Sequence, residues 1–375
     1  MKIACVSTSR IPSNTANSIQ VMKACQALAA LGNEVCLWVP GESQSSWADL
    51  SELYGLSTPF EVRWLASNKL WRRYDFSLVA MQEAKRWGAK LFYTWLLPAA
   101  VLALWQGIPT LLELHDVVTG RLGPQSYRLF CGHKKTPKRL MVITRALKEK
   151  LEAQSGIRLG DKWVQIAPNG TDLERYAGLP DAVTARFQLG LPEMFTAVYS
   201  GHFYPGRGMD LLVGLAQGLP DVQFVWVGGT EQSTAEWKVR LAELGIKNVT
   251  LTGFITNSRL PLYQAAGEVL LMPYERAIAG SSGGNSADIC SPMKMFDYLA
   301  CGRVILSSDL AVIHEVLNPG NAVFCEPGDT AGWVAALREI TAHPEKQAQL
   351  GAQAQQDAAR YTWINRARSA LEGLQ

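Results

Sequence analysis

The sequence predicts an α/β protein of two Rossmann-like domains facing each other, and three observations carry that prediction. The chain has 375 residues, and at roughly 150 residues per domain that suffices for two, each with a sizeable core. Short β-branched apolar runs alternate with segments of helical period from the first residue to about residue 340, the pattern of parallel sheets joined by helices. The pattern halts and restarts once, at Pro168-Asn169-Gly170-Thr171-Asp172.

In the first block, Lys2 to Val6 is the opening strand and Ser7 to Asn17 its polar loop. A helix is expected from Ser18, because Ile19, Met22, Cys25, Leu28 and Leu31 recur at three-residue spacing and Gly32 stops the run. Glu34 to Val39, Leu91 to Thr94, Thr110 to Leu114, Leu140 to Thr144 and Val164 to Ala167 follow as strands. The turn residues at 168–172 and a polar stretch to about 190 mark the linker. Phe195 to Ser200, Phe224 to Gly228, Val249 to Thr252, Val269 to Met272 and Val304 to Ser307 form the second set, and the tail from Pro344 is helical and polar.

Composition excludes several classes. Apolar residues make up 48% of the chain and charged ones 18%, which is ordinary globular usage. The net charge of +3 hides an uneven split. Residues 1–180 carry 22 Lys and Arg against 14 Asp and Glu, a surplus of +8, and residues 181–375 carry 14 against 19, a deficit of −5. The basic residues form no nucleic-acid reading motif, so no nucleic-acid partner is expected. Seven scattered cysteines without a C-x-x-C pair suggest reduced thiols and a cytoplasmic protein. The N-terminus turns polar at Ser7, so no signal peptide is read there, and the most apolar later stretch, Trp95 to Trp105, is about half of what a membrane span requires. Arg72-Arg73 beside Leu70, Trp71 and Tyr74, and His133-Lys134-Lys135 with Lys138-Arg139, offer peripheral contact with the cytoplasmic face of a membrane, or are solvated faces.

Ligands of parallel sheets bind beyond the carboxyl ends of the strands, which narrows the candidates to three segments. Ser200-Gly201-His202-Phe203-Tyr204-Pro205-Gly206-Arg207-Gly208 follows a strand; its glycines permit close backbone approach and Arg207 offers a phosphate a fork of N–H donors. Ser291-Pro292-Met293-Lys294 opens a helix that runs through Asp297 to Gly302. With Ser291 as N-cap and Pro292 at the first helical position, the amides of Met293 and Lys294 would make an anion site, with Asp297 one turn further in to accept from ribose hydroxyls. The alternative is a capped core helix with a Lys294–Asp297 pair. Glu113-Leu114-His115-Asp116 closes a first-block strand, where an imidazole suits a polar substrate. The polar Ala277 to Ala287 stretch is a closing loop or a plain connection. No G-x-G-x-x-G follows the first strand, no G-x-x-x-x-G-K-[ST] occurs, and no Asp-x-Asp pair exists, which argues against a nicotinamide site and against a metal held on a diphosphate.

Asn169-Gly170-Thr171-Asp172-Leu173-Glu174-Arg175-Tyr176, the Gly201 to Gly208 loop and the Ser291 to Gly302 helix together resemble the family four retaining glycosyltransferases of GT-B fold, over nearly the whole chain. The resemblance implies an N-terminal acceptor domain over 1–178, a nucleotide-sugar domain over 179–355 with a cleft between them, and a C-terminal helix, 356–375, returning to the first domain. It implies transfer of a sugar from a UDP- or GDP-linked donor to a carbohydrate or lipid-linked acceptor, without a cofactor. The family's Gly-Arg-x-x-x-x-Lys-Gly loop corresponds to His202 and Arg207, so a histidine stands where an arginine is usual. Its two glutamates eight positions apart correspond to Ile289 and Asp297; Asp297 keeps a carboxylate for the ribose, and Asp288 is the neighbour able to stand in at the donor sugar. By the same likeness His115 meets the sugar's hydroxymethyl side, Gly228, Gly229, Phe254 and Ile255 line the base pocket, and Asn17 and Ser18 meet the acceptor.

A retaining enzyme of this type must stabilise charge on the departing diphosphate. Without Asp-x-Asp that falls to Arg207, His202 and the Ser291–Lys294 helix start, so transfer is expected to be metal-independent with same-face attack. Nucleotide-sugar epimerisation, or a sugar-nucleotide-binding protein that has lost catalysis through Ile289, are the alternatives.

Overall fold

The computed structural model describes residues 1–67, 74–278 and 285–374. The chain divides into two compact units, Met1–Asn169 with Trp363–Gln375, and Gly170–Thr362. The crossing points thus lie at 169/170 and 362/363, against 178/179 and 355/356 in the reading from sequence.

The first unit is a seven-stranded parallel sheet. Its strands are β1 (Lys2–Val6), β2 (Glu34–Pro40), β3 (Glu61–Leu65), β4 (Leu91–Thr94), β5 (Thr110–Leu114), β6 (Lys138–Val142) and β7 (Val164–Ile166), in the order β3-β2-β1-β4-β5-β6-β7. One face buries Ala4, Val6, Trp38, Phe76, Phe92 and Ala99. On the other, the Ala16–Ala30 helix packs against the Trp363–Leu371 helix. The second unit is a six-stranded parallel sheet of β8 (Thr196–Ser200), β9 (Gln223–Val227), β10 (Val249–Gly253), β11 (Val269–Met272), β12 (Val304–Ser308) and β13 (Val323–Cys325), in the order β10-β9-β8-β11-β12-β13. Tyr199, Leu212, Phe224, Trp226, Leu271 and Trp333 form its core. Each sheet reverses strand order once, at β1/β4 and at β8/β11, and these are the switch points where such sheets hold ligands.

The differences from the sequence reading have local causes. The sequence pattern does not mark β3 and β13: β3, Glu61–Leu65, is interrupted by charge, exposed at its first residue and half-buried beyond it, and the apolar run of β13 is only three residues long. The strand expected over Leu140 to Thr144 lies two residues earlier, because Thr144 caps the Arg145–Ser155 helix, its hydroxyl accepting from the Leu147 amide at 3.1 Å. The first helix begins at Ala16 with Thr15 as its cap rather than at Ser18. The Met293–Cys301 helix has Pro292 at the N-cap, still extended at ψ 125°, and no side-chain cap, so Ser291 is not the N-cap.

No disulfide joins the seven cysteines. The apolar Trp95–Trp105 stretch contains the nine-residue helix Leu97–Trp105, and among the described residues no helix is long and apolar enough to cross a membrane. Of the residues considered for a membrane surface, Leu70, Trp71, Arg72 and Arg73 lie outside the described residues, as does the side chain of Tyr74. Lys138 and Arg139 are turned to internal work. The Lys138 ammonium donates to the carbonyls of Phe130, Cys131 and His133 at 2.5–2.6 Å and stands over Trp163; Arg139 donates to the carbonyls of Ser369, Ala370 and Glu372 at the end of the last helix. His133 Nε2 accepts from the Thr136 amide at 3.1 Å, leaving Lys134 and Lys135 as the exposed members of that cluster.

Candidate functional site

The second unit concentrates cationic groups at its β8/β11 switch point. β8 ends at Ser200, whose amide donates to the Tyr298 hydroxyl at 2.9 Å, and the chain then turns through Gly201 at φ 148°. A Cβ at Gly201 would stand 2.8 Å from the Lys294 ammonium, and one at Gly228 would stand 2.2 Å from the Gly201 carbonyl oxygen. Only glycine fits this approach of loop to loop. Gly206 and Gly208 press in the same way on Ala277 and Pro273 of the segment after β11.

Lys294 lies in the first turn of the Met293–Cys301 helix, where backbone N–H groups have no intrahelical acceptor. Its ammonium sits 3.9 Å over the Tyr199 ring and 5.4 Å from that of Tyr274. Arg207 approaches the same Tyr274 ring at 5.0 Å. Lys294 therefore does not pair with Asp297, the alternative open in the sequence. Burial, and after it the adjacent Arg207 guanidinium, pushes the Lys294 ammonium well below the usual lysine value. Among the described residues no carboxylate forms an ion pair with Arg207 or Lys294; Glu275, on the same segment, accepts instead from the Gly208 amide at 3.2 Å. Two partly buried cations, an open helix start and a close-packed glycine loop make a site for an anion with several oxygens.

The other expected residues surround that centre unevenly. Asp297, one turn into the helix, accepts from the Thr171 hydroxyl at 2.8 Å, and Thr171 is itself held by its amide on the Tyr361 carbonyl at 2.9 Å. The His202 ring stacks on Tyr204 at 4.8 Å, and its carbonyl accepts from Tyr199 at 2.7 Å. Gly228 follows β9 and donates to the Gly253 carbonyl at 2.9 Å; Gly229 packs on Phe203; Phe254 and Ile255 follow β10, with Phe254 40% exposed. Ile289 is 2% exposed and belongs to the interior, whereas Asp288 is exposed. Ser291 is buried and Met293 half-buried. Of the Ala277 to Ala287 stretch, residues 279–284 lie outside the description; Asn285 beyond them accepts from the Ile278 amide at 2.8 Å. No group of three His, Cys, Asp or Glu among the described residues could hold a metal ion.

In the first unit, His115 is one member of a buried network. Its Nε2 lies 2.6 Å from Glu113 Oε1. The same oxygen accepts from Gln20 Nε2 at 2.7 Å and from Arg366 Nη2 at 2.6 Å, and Oε2 accepts from the Tyr93 hydroxyl. Glu113 is 1% exposed. Burial alone would raise its carboxyl, but the Arg366 guanidinium and then His115 and Tyr93 outweigh burial and hold it at about 2. Asp116 accepts from the Val117 amide and shapes the loop. Ser18 is buried, its hydroxyl shared with Ser13 and Thr15, so of the two residues expected to meet an acceptor only Asn17 is exposed.

Tyr199, Tyr274, Gln20, Tyr93 and Arg366 were not among the expected site residues. Tyr199 and Tyr274 lie at the end of β8 and just after β11, and Tyr93 near the end of β4, positions that sequence does reveal. Gln20 and Arg366 approach β5 from helices remote in the chain, and nothing local announces them.

A Glycosyltransferase Family 4 model matches residues 18–175, and a Glycosyl transferases group 1 model matches residues 195–343. The chain is 26% identical to the phosphatidyl-myo-inositol mannosyltransferase of Mycolicibacterium smegmatis over 297 residues, 77% of this chain and 65% of that protein. It is 26% identical to the alpha-galactosylglucosyldiacylglycerol synthase of Streptococcus pneumoniae over 165 residues, 42% of this chain and 41% of that one. These matches span less than two thirds of either relative's length. The crystal structure of Anabaena HepE in complex with UDP-glucose superposes with a TM-score of 0.74 at 19% identity, covering 100% of this chain and 99% of that one.

Proposed function

The chain belongs to the family four-like glycosyltransferases of GT-B fold, and from that premise we propose that it is a retaining enzyme. It moves a sugar from a nucleoside-diphosphate sugar to an acceptor hydroxyl without a metal ion. The observation that carries the reading is the pair Arg207 and Lys294, partly buried at the β8/β11 switch point, sharing Tyr274 and forming no ion pair with a carboxylate among the described residues. Charge that builds on the departing diphosphate would meet both cations and the first-turn amides of the Met293–Cys301 helix, already oriented before the reaction. Asp297, steadied by Thr171, serves the ribose; Gly201 and His202 flank the diphosphate; Gly228, Phe254 and Ile255 serve the base; Asp288 serves the donor sugar. His115 serves the transfer and Asn17 the acceptor.

UDP is the favoured nucleotide, supported by the complex of the structural relative HepE, with GDP the alternative. Two relatives named for lipid substrates support a lipid-linked acceptor, presented where Lys134 and Lys135 meet an anionic surface. The experiment is transfer from UDP- and GDP-sugars in EDTA, with the anomeric configuration of the product read by NMR. Retention of configuration with one donor is the expected result. Arg207→Ala is expected to slow transfer roughly 10- to 150-fold, the loss of one charge-assisted phosphate contact. A change below twofold, an inverted product, or dependence on added metal would overturn the assignment.

A further inference from the structure

We infer that Glu113 and Arg366 are positioning residues for His115: the C-terminal helix acts through a buried carboxylate to fix the imidazole's orientation and to decide which of its nitrogens carries a hydrogen. The inference rests on the reading that His115 takes part in transfer. Glu113 Oε1 accepts from Gln20, His115 and Arg366 while Oε2 accepts from Tyr93. Four groups converge on one buried carboxylate, three of them on the same oxygen. Because an ionised carboxylate only accepts, the hydrogen between it and His115 belongs to Nε2, and Nδ1 is the nitrogen left for a substrate. The His115 side chain is 26% exposed, whereas those of Glu113 and Arg366 are 0% and 6% exposed.

Arg366 is itself fixed. Its Nε donates to the Pro168 carbonyl at 2.9 Å, further bonds reach Ala167, and Nη1 reaches the Tyr93 hydroxyl at 3.3 Å. A staple between the last helix and the sheet would need only Arg366, Glu113 and Tyr93, and a buried ion pair rarely stabilises a fold better than apolar packing would. A partly exposed histidine at the end of the chain of bonds is what a positioning device requires and a staple does not.

The test uses the full-length chain. In ¹⁵N-histidine NMR, the wild type is expected to show an exchange-protected Nε2–H signal that His115→Ala removes and Glu113→Gln shifts or abolishes. In transfer assays, Glu113→Gln should lower kcat roughly tenfold to a hundredfold through misplacement of the imidazole, with the Kd for UDP or GDP within twofold of wild type. In the His115→Ala background the same substitution should cost less than twofold, since a positioning residue has nothing left to position. Arg366→Lys, which keeps a charge on Glu113, should retain more of the rate than Arg366→Met. An Nε2–H signal absent from the wild type or unmoved by Glu113→Gln would overturn the inference, as would an equal loss of rate with and without His115. If no donor is turned over, the proposed function fails, and the NMR comparison still decides whether Glu113 holds His115. If Glu113→Gln does not fold, Gln20→Leu, which removes one donor to the same carboxylate oxygen, carries the same comparison.

Discussion

Two charge clusters, one in each unit, are built in opposite ways. In the first, Glu113 is fully matched, meeting a guanidinium, an imidazole, an amide and a phenol. In the second, Arg207 and Lys294 meet aromatic faces and no carboxylate among the described residues. A matched charge is part of the architecture whatever else it positions, and removing one partner leaves the other unsolvated. An unmatched charge is costly to the empty protein and gains its partner when a ligand arrives. The difference teaches which substitutions should be read in stability and which in affinity.

The largest expected effect lies on the matched side. Arg366→Met strips Glu113 of its main charge partner and should destabilise the first unit by about 3–5 kcal/mol, measured by urea unfolding. The same network sets an acid limit. The Glu113 carboxyl is lowered from 4.5 to about 2, so its contribution, roughly 3 kcal/mol, is whole above the unfolded value and is lost as pH falls from there towards 2. Glu113→Gln should flatten that limb of the pH–stability curve. A wild-type limb no steeper than the variant's would break the comparison on this side.

On the unmatched side, Lys294→Met should leave folding intact or slightly improved while weakening UDP or GDP binding by roughly 10- to 150-fold, the worth of one charge-assisted bond. The sign of the pH effect follows from the lowered ammonium. An arriving diphosphate favours the charged form, so binding takes up a proton and weakens as pH rises, and calorimetry in buffers of differing ionisation heat reads that proton. A loss of stability in Lys294→Met as large as that in Arg366→Met would mean that the second cluster is architecture as well.

Much of this was legible before any coordinates. Alternation of strand and helix marked both sheets because fully buried parallel strands are continuous apolar runs, and Leu91–Thr94, Thr110–Leu114 and Val269–Met272 have the bounds expected of them. The half-buried β3 is broken by charge and the apolar run of β13 is three residues long, too short to stand out. Glycines at 201, 206, 208 and 228 and the cations at 207 and 294 lie just after strands or at a helix start, so their neighbourhood followed from topology. Asp297 illustrates the limit: its spacing from Lys294 permitted a pair, and the structure gives its carboxylate to Thr171, 126 positions away. Arg366 illustrates it further, since a 253-residue separation from Glu113 leaves no trace in local pattern. What periodicity cannot encode is which side chains of two remote helices converge on one strand end.

The smallest expected effect applies the same contrast to the surface. Four basic residues, Lys134, Lys135, Lys138 and Arg139, are indistinguishable as a charge run, yet Lys138 and Arg139 are spent on backbone carbonyls and Lys134 and Lys135 are exposed. A juxtamembrane lysine contributes about 1 kcal/mol of attraction to an anionic leaflet. Changing both Lys134 and Lys135 to Gln should therefore weaken sedimentation with phosphatidylglycerol vesicles by roughly 10- to 30-fold at low salt and leave the melting temperature alone. Lys138→Met should leave sedimentation unchanged and lower the melting temperature, because its ammonium closes the end of the Gly123–Gly132 helix by donating to the carbonyls of Phe130 and Cys131. Salt-insensitive binding, or equal losses from the two substitutions, would show that the exposed pair is an ordinary solvated face and that the acceptor reaches the enzyme by another route.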